Sequence, residues 1–308
     1  MNLRPLNYES LKEILNEVKK RNDLLHSKWT TIIYFFYNHL KNYENFYYQD
    51  DEKFFLVFVS HENRKIKHLN LIDDKPQIEI IAQIMEDMKI KDYKIIFLHR
   101  IHNIIATLKN NNLLKNLTVY NSFVYIYLTE KLIGFPGKSM QKKRNLYNNF
   151  LHNFADKIEI IDIKNANKQE LVNYVENWRT AKIEHSVDHE EKYGLYHECY
   201  TTQQILLNWE KHDYSGIVWK YENKVQGIIF GNVTDKNNEL VEMMVSKTSI
   251  EFKGAYQYML SEVLRRNFPN IKYVSLGDDE CNPSLRKNKL SYHPAYIVDK
   301  WDIICELA

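Results

Sequence analysis

Three stretches of the chain collect side chains able to handle phosphate, protons and developing charge. The first, Gly137-Lys138-Ser139-Met140-Gln141-Lys142-Lys143-Arg144-Asn145, gathers four cations. Lys138, Lys142, Lys143 and Arg144 suit contacts to phosphate oxygens, which position a nucleic acid without reading its bases. On one continuous helix, Lys138 and Lys142 lie a turn apart on a shared face. A solvated basic helix start is the plain alternative, although cations are disfavoured at the positive end of a helix. The second stretch, Val245-Ser246-Lys247-Thr248-Ser249-Ile250-Glu251-Phe252-Lys253-Gly254-Ala255-Tyr256-Gln257, reads as a strand end, a glycine turn and a helix start. Backbone N–H groups at such a helix start can meet an anion. The third runs Gly277-Asp278-Asp279-Glu280 and then Leu285-Arg286-Lys287-Asn288-Lys289-Leu290-Ser291-Tyr292-His293-Pro294. It mixes carboxylates, cations and a phenol, the groups of acid–base chemistry and charge stabilisation.

Other combinations are poorer. His185-Ser186-Val187-Asp188-His189 resembles the inverted zinc motif His-x-x-Glu-His, with His197 as a third ligand. Its acid is one methylene short, and twelve histidines make chance spacing easy. The segment is read instead as the wall of a substrate pocket, and no metal is expected. Cys199, Cys281 and Cys305 are too few and too scattered for a disulfide framework or a cysteine-rich zinc site. With 42 basic and 40 acidic residues, the net charge of +2 excludes a coat for long nucleic acid. It leaves room for a protein that touches a few phosphates. All eight glycines lie at or beyond Gly134. Loops that wrap phosphate need glycine for close backbone approach, so function is expected in the second half.

These residues must be held by ordinary globular elements. The composition, 44% hydrophobic and 27% charged, is that of a packed protein, and 308 residues suffice for two domains. The longest apolar runs, at 32–37 and 54–59, fall far short of the roughly 20 residues of a membrane span. No signal segment opens the chain, and a cytoplasmic location is expected. Periodicity predicts helices over 10–21, 30–42, 76–88, 103–109, 168–184, 201–211 and 255–266. It predicts strands over 46–48, 54–60, 95–99, 122–128, 158–163, 215–221, 225–232, 240–245, 272–276 and 295–305. The turn at Gly134-Phe135-Pro136-Gly137 separates two such runs, giving domains of 1–130 and 131–308.

In order and spacing, the three stretches resemble the motifs of the phosphatidylglycerol lysyltransferase C-terminal family. The Lys253-Gly254-Ala255-Tyr256-Gln257 turn and the Lys289-Leu290-Ser291-Tyr292-His293-Pro294 block are the most specific. The likeness is close from about residue 130 onward and one of layout before it. It implies an α/β fold of two tandem acetyltransferase-like (GNAT) domains; the lack of glycine in the first makes that domain the expected scaffold, with the active site in the second. It also implies transfer of an aminoacyl group from aminoacyl-tRNA to an amine or hydroxyl. In that reaction Asp278 or Glu280 would orient the attacking amine or take its proton. Arg286 or Lys289 would stabilise the oxyanion or bind the 3′-terminal phosphates. Tyr292 would protonate the departing ribose hydroxyl, or else serve as a core aromatic. Lys138, Lys142, Lys143, Arg144, Lys253, Gly254 and Lys289 form the donor-binding set.

No cofactor is expected, with acetyl-coenzyme A as the alternative donor. Coenzyme A users of this fold carry a Gln/Arg-x-x-Gly-x-Gly/Ala turn at the pyrophosphate. Aligned on Gly254, this chain places Glu251 and Tyr256 at the first and last of those positions, where a carboxylate repels the pyrophosphate and a ring crowds it. The absence of a membrane region favours a soluble small-molecule or peptide acceptor over a phospholipid. Two alternatives stand beside this reading. One is a coenzyme A-dependent N-acyltransferase. The other is a non-catalytic binding module that keeps the fold, favoured by Leu276-Gly277-Asp278-Asp279-Glu280 where relatives would carry an Asn-containing acidic motif.

Overall fold

The computed structural model describes residues 3–21, 32–33, 36–37, 43–49, 54–62, 65–73, 94–100, 110, 112, 114–184 and 189–307. By compactness the chain divides into two units, one of residues 1–15, 31–123 and 298–308, the other of 16–30 and 124–297. In chain order the strands are β1 (Arg4–Pro5), β2 (Tyr43–Gln49), β3 (Phe54–Glu62), β4 (Lys65–Asp73), β5 (Lys94–Arg100), β6 (Leu114–Leu128), β7 (Ile158–Asp162), β8 (Ser215–Tyr221), β9 (Lys224–Val233), β10 (Leu240–Thr248), β11 (Tyr273–Asp278) and β12 (Tyr296–Leu307). The helices are α1 (Tyr8–Arg21), α2 (Thr129–Leu132), α3 (Gln141–Phe154), α4 (Lys168–Glu184), α5 (His189–Leu207), α6 (Ala255–Asn267) and α7 (Pro283–Leu290).

In the first unit, β1 to β4 form an antiparallel run, β4 and β5 pair in parallel, and β12 closes antiparallel on β5, with Ile303 opposite Phe97. Leu56, Val57 and Phe58 are buried at successive positions of β3, so both faces of that strand are covered. Helix α1 buries Leu11, Ile14, Leu15 and Val18, the stripe its sequence spacing demands. Asn7 caps it, its Oδ1 accepting from the N–H groups of Glu9 and Ser10, while Lys19, Lys20 and Arg21 sit at the negative end.

The second unit is a sheet in the order β7-β8-β9-β10-β11-β6. All neighbours are antiparallel except β10 and β11. Helices α3 and α6 pack through Phe150, whose ring stands perpendicular to Trp219 at 5.4 Å and lies 4.9 Å from Tyr258. Helix α4 is tied to the sheet by Tyr174, whose hydroxyl donates to the Gln226 carbonyl, and by Trp178, whose indole N–H donates to the Thr248 carbonyl. Hairpin, central strand, glycine turn, helix and parallel strand follow in the acetyltransferase-like order expected from the sequence. Both units are mixed α/β.

Several expectations need correcting. Helix α5 begins at His189, well before the expected 201. Its first turns are polar and lack apolar period, yet glutamate and lysine are good helix formers. Strand β4 and helix α7 were not foreseen, and β6 is longer than expected. Helix α3 starts at Gln141, so Lys138 lies in the bend before it and shares no helix face with Lys142. Gly137, at φ +85°, turns the chain there and delays the first helical bond. Of the helix expected over 30–42, residues 32–33 and 36–37 are described and helical. The helices expected over 76–88 and 103–109, and His185 to Asp188 of the zinc-like motif, lie outside the described residues.

Candidate active site

The site is built where β10 and β11 part. Their parallel pairing covers only Leu240, Val241 and Glu242 against Tyr273, Val274 and Ser275. Beyond that point β10 bulges between Met243 and Val245 and stays with β9 as far as Thr248. β11 stays with β6, reaching Asp278 opposite Val124. Two parallel strands diverging at their carboxyl ends leave main-chain edges facing a cleft, the place where open α/β sheets take ligands.

One flank of this cleft is the corner from β11 to α7. Gly277 turns at φ +80°, and Glu280 and Cys281 both take left-handed conformations that cost a non-glycine residue about 1 kcal/mol or more each. Asp279 holds that corner. Its side chain is fully buried and accepts from Arg286 Nε at 2.6 Å, the Tyr125 hydroxyl at 2.8 Å and the Cys281 N–H at 3.2 Å. Burial, then the Asp279 charge, pushes the Tyr125 phenol up to about 12. Asn282 next caps α7, accepting from the N–H groups of Ser284 and Leu285, with Pro283 in the first turn. Helix α7 then returns Lys289 to the strand it left, where its ammonium donates to the Leu276 carbonyl. Burial lowers the Lys289 pKa, against the raising effect of Asp278, Glu280 and Asp279.

The other flank is the turn from β10 to α6. Gly254, at φ +94°, precedes Ala255, and a Cβ there would sit 2.1 Å from the Leu146 carbonyl oxygen and 3.1 Å from the Phe150 Cβ. Helix α3 therefore presses its backbone against the start of α6, and only glycine fits between them. The two flanks meet through aromatic rings. Tyr292 is buried, its hydroxyl accepting from Gln257 Nε2 at 2.7 Å, and its ring is edged by Tyr127, Tyr256 and Phe135. Lys143 lies 3.7 Å above that ring and donates to Asn288 Oδ1 at 3.3 Å.

The expected site residues thus converge in part. Asp278, Arg286, Lys289 and Tyr292 gather at the β11–α7 corner, and Lys143 joins them from α3. Glu280 is exposed at the corner's outer edge. Lys138, Lys142 and Lys253 are exposed, in positions to meet a ligand arriving from solvent. Arg144 turns inward and donates through Nη1 to the carbonyls of Phe135 and Gly137, pinning its own turn. Burial drives the Tyr292 phenol pKa well up, which suits an aromatic core post better than a ready proton donor. Asp279, Gln257, Asn288 and Tyr125 were missed. The Asn282-Pro283 pair was a legible sign of the helix that organises them.

Among the described residues, no cluster of histidine, cysteine and carboxylate side chains is arranged to hold a metal, and no helix is long and apolar enough to cross a membrane. An uncharacterized protein of Mycoplasmoides gallisepticum is 26% identical over 183 residues, 59% of this chain and 56% of that protein, so the chain spans little more than half of that relative. A conserved protein of unknown function from Bacteroides thetaiotaomicron has the same fold, with a TM-score of 0.75 at 19% identity over 99% of this chain and 100% of that one. L-PGS from Bacillus licheniformis superposes with a TM-score of 0.61 at 12% identity, covering 98% and 92%. The family described as phosphatidylglycerol lysyltransferase, C-terminal, matches residues 34–304. With a match over most of its length and this fold, the chain belongs to the phosphatidylglycerol lysyltransferase C-terminal family.

Proposed function

We propose that the chain is an aminoacyltransferase that moves an aminoacyl group from aminoacyl-tRNA to an amine or hydroxyl of a soluble small-molecule or peptide acceptor. The observation that carries this reading is the make-up of the Gly254 turn. Its glycine is backed by the Leu146 carbonyl oxygen of α3 where a Cβ would stand. The flanking positions hold a carboxylate at Glu251 and a ring at Tyr256, which a pyrophosphate clamp would not carry. Glu251 is exposed beside the same turn and adds negative charge. The exposed cations Lys138, Lys142 and Lys253 suit a polyanion larger than a coenzyme, held by its backbone. In this reading Asp278 orients the attacking amine, and Lys289 offsets the developing charge. Arg286, bonded to the buried Asp279, keeps the corner in shape.

The test is a titration with a pool of charged tRNA, and separately with coenzyme A, at two salt concentrations. Saturable, salt-sensitive binding of charged tRNA without a coenzyme A response is expected. Lys138→Ala and Lys142→Ala should each weaken it and reduce the salt slope by about 0.7 to 0.9. Tight coenzyme A binding would overturn the assignment, and Asp278→Ala with full turnover would remove that residue's role.

A further inference from the structure

A second polar feature lies on β10 itself, away from the β11–α7 corner. Lys247 has a side chain with no exposure at all, which lysine adopts only when paired. Its ammonium donates to Glu198 Oε1 of α5 at 2.5 Å and sits 4.1 Å over the ring of Trp178 on α4. Trp178 is fixed in turn by its indole bond to the Thr248 carbonyl, the next residue along the strand. The two partners of the ion pair are unequal, since the Glu198 side chain remains 50% exposed. A pair serving only to fasten helix to sheet would let the long lysine stem lie on the apolar surface and its ammonium reach water, which costs less than burying the charge. This one buries the cation and presents the anion.

The sign of the accessible partner decides what can bind. A ligand arriving here meets a carboxylate pinned from behind by a desolvated ammonium, with an indole beside it. Among the described residues no donor meets its second oxygen, Oε2. Lys247 lies on the part of β10 that has already left β11, so the ammonium that holds the Glu198 carboxylate is carried by a strand that forms the cleft. We propose that Glu198, positioned by Lys247 and Trp178, is a subsite for a primary ammonium group of the acceptor. This rests on the acyltransferase reading for its link to the reaction, and it narrows the acceptor to amine-bearing molecules.

The experiment titrates the isotope-labelled full chain with n-butylammonium chloride and follows the Trp178 indole N–H by NMR, assigned through Trp178→Phe. A saturable shift is expected with butylammonium and none with n-butanol or with sodium chloride at matched ionic strength. Glu198→Gln should weaken binding about tenfold or more, the loss of one charge-assisted bond. Because that variant leaves Lys247 buried without its partner, the double variant Glu198→Gln/Lys247→Met removes both charges together. A purely structural pair would let the double variant bind butylammonium as the wild type does, and that result, or an equal response to butanol, would overturn the proposal. Charged tRNA added to the same samples separates the two readings. An intact ammonium response without tRNA binding refutes the aminoacyl donor alone, and tRNA binding without an ammonium response refutes this subsite alone.

Discussion

If α3 rather than a ligand fills the space at Gly254, an added methyl group there must damage folding more than a left-handed backbone alone explains. Gly134 is the matched control, at φ +76° with nothing within 4 Å of a Cβ, against φ +94° and contacts of 2.1, 2.9 and 3.1 Å at Gly254. Gly134→Ala should cost only the left-handed conformation, about 1 to 2 kcal/mol. Gly254→Ala bears the same term and must also drive back a backbone carbonyl that cannot rotate away, an overpacking cost of about 1 to 3 kcal/mol or more. A difference of roughly 2 kcal/mol should separate the melting temperatures by about 4–8 °C in a unit of this size. Calorimetry on the full chain, with intrinsic tryptophan fluorescence reporting Trp219 against Phe150, reads the second unit. Equal melting of the two variants would refute the closure of this turn by α3. Loss of coenzyme A binding in a fully stable Gly254→Ala protein would show that a pyrophosphate occupies the turn instead.

Asp279→Ala removes the acceptor of the buried Tyr125 hydroxyl and of the part-exposed Arg286, and should destabilise by about 1 to 3 kcal/mol in urea titration, with Asp279→Asn milder. In a folded Asp279→Asn protein the Tyr125 phenol should titrate below its present value of about 12 by ultraviolet absorbance, and no change would remove the carboxylate from its environment. His212 gives a pH dependence. Burial beside the ring of Tyr214 pushes it down to about 4 from an ordinary 6.5. The unfolded chain therefore takes up the proton first as pH falls. This contribution is complete above about pH 6.5 and is lost between there and about pH 4, to a limit of about 3 kcal/mol. His212→Gln should flatten the melting profile across that window, and an unchanged slope would exclude His212 as its source.

Much of the second unit was legible because its signals are short-range. The β8–β9 hairpin, α6 after its glycine turn and the alternation along β10 each follow from residues within a few positions. The same applies to the acetyltransferase-like order, and the three motif stretches do meet near one cleft. Local signals were also overlooked. Asn282 and Pro283 announce α7, and Lys247 shares the buried phase of β10 with Val245. Elsewhere local chemistry was ambiguous. Asp278, Asp279 and Glu280 are consecutive carboxylates, yet the first is half-buried, the second fully buried and the third exposed.

By itself the sequence determined the fold class, the gathering of all eight glycines in the second half and the departure of the Gly254 turn from the coenzyme-clamp pattern. These follow from periodicity, glycine distribution and side-chain charge, all properties of neighbours in the chain. Tertiary structure alone decided which carboxylate is the anchor, that Arg144 turns inward, that Lys143 covers Tyr292, and that α3 closes Gly254. Each depends on partners far apart in sequence, 154 residues between Tyr125 and Asp279 and 145 between Lys143 and Asn288. Burial and hydrogen bonding across such distances exist only once the sheet has brought its strands together.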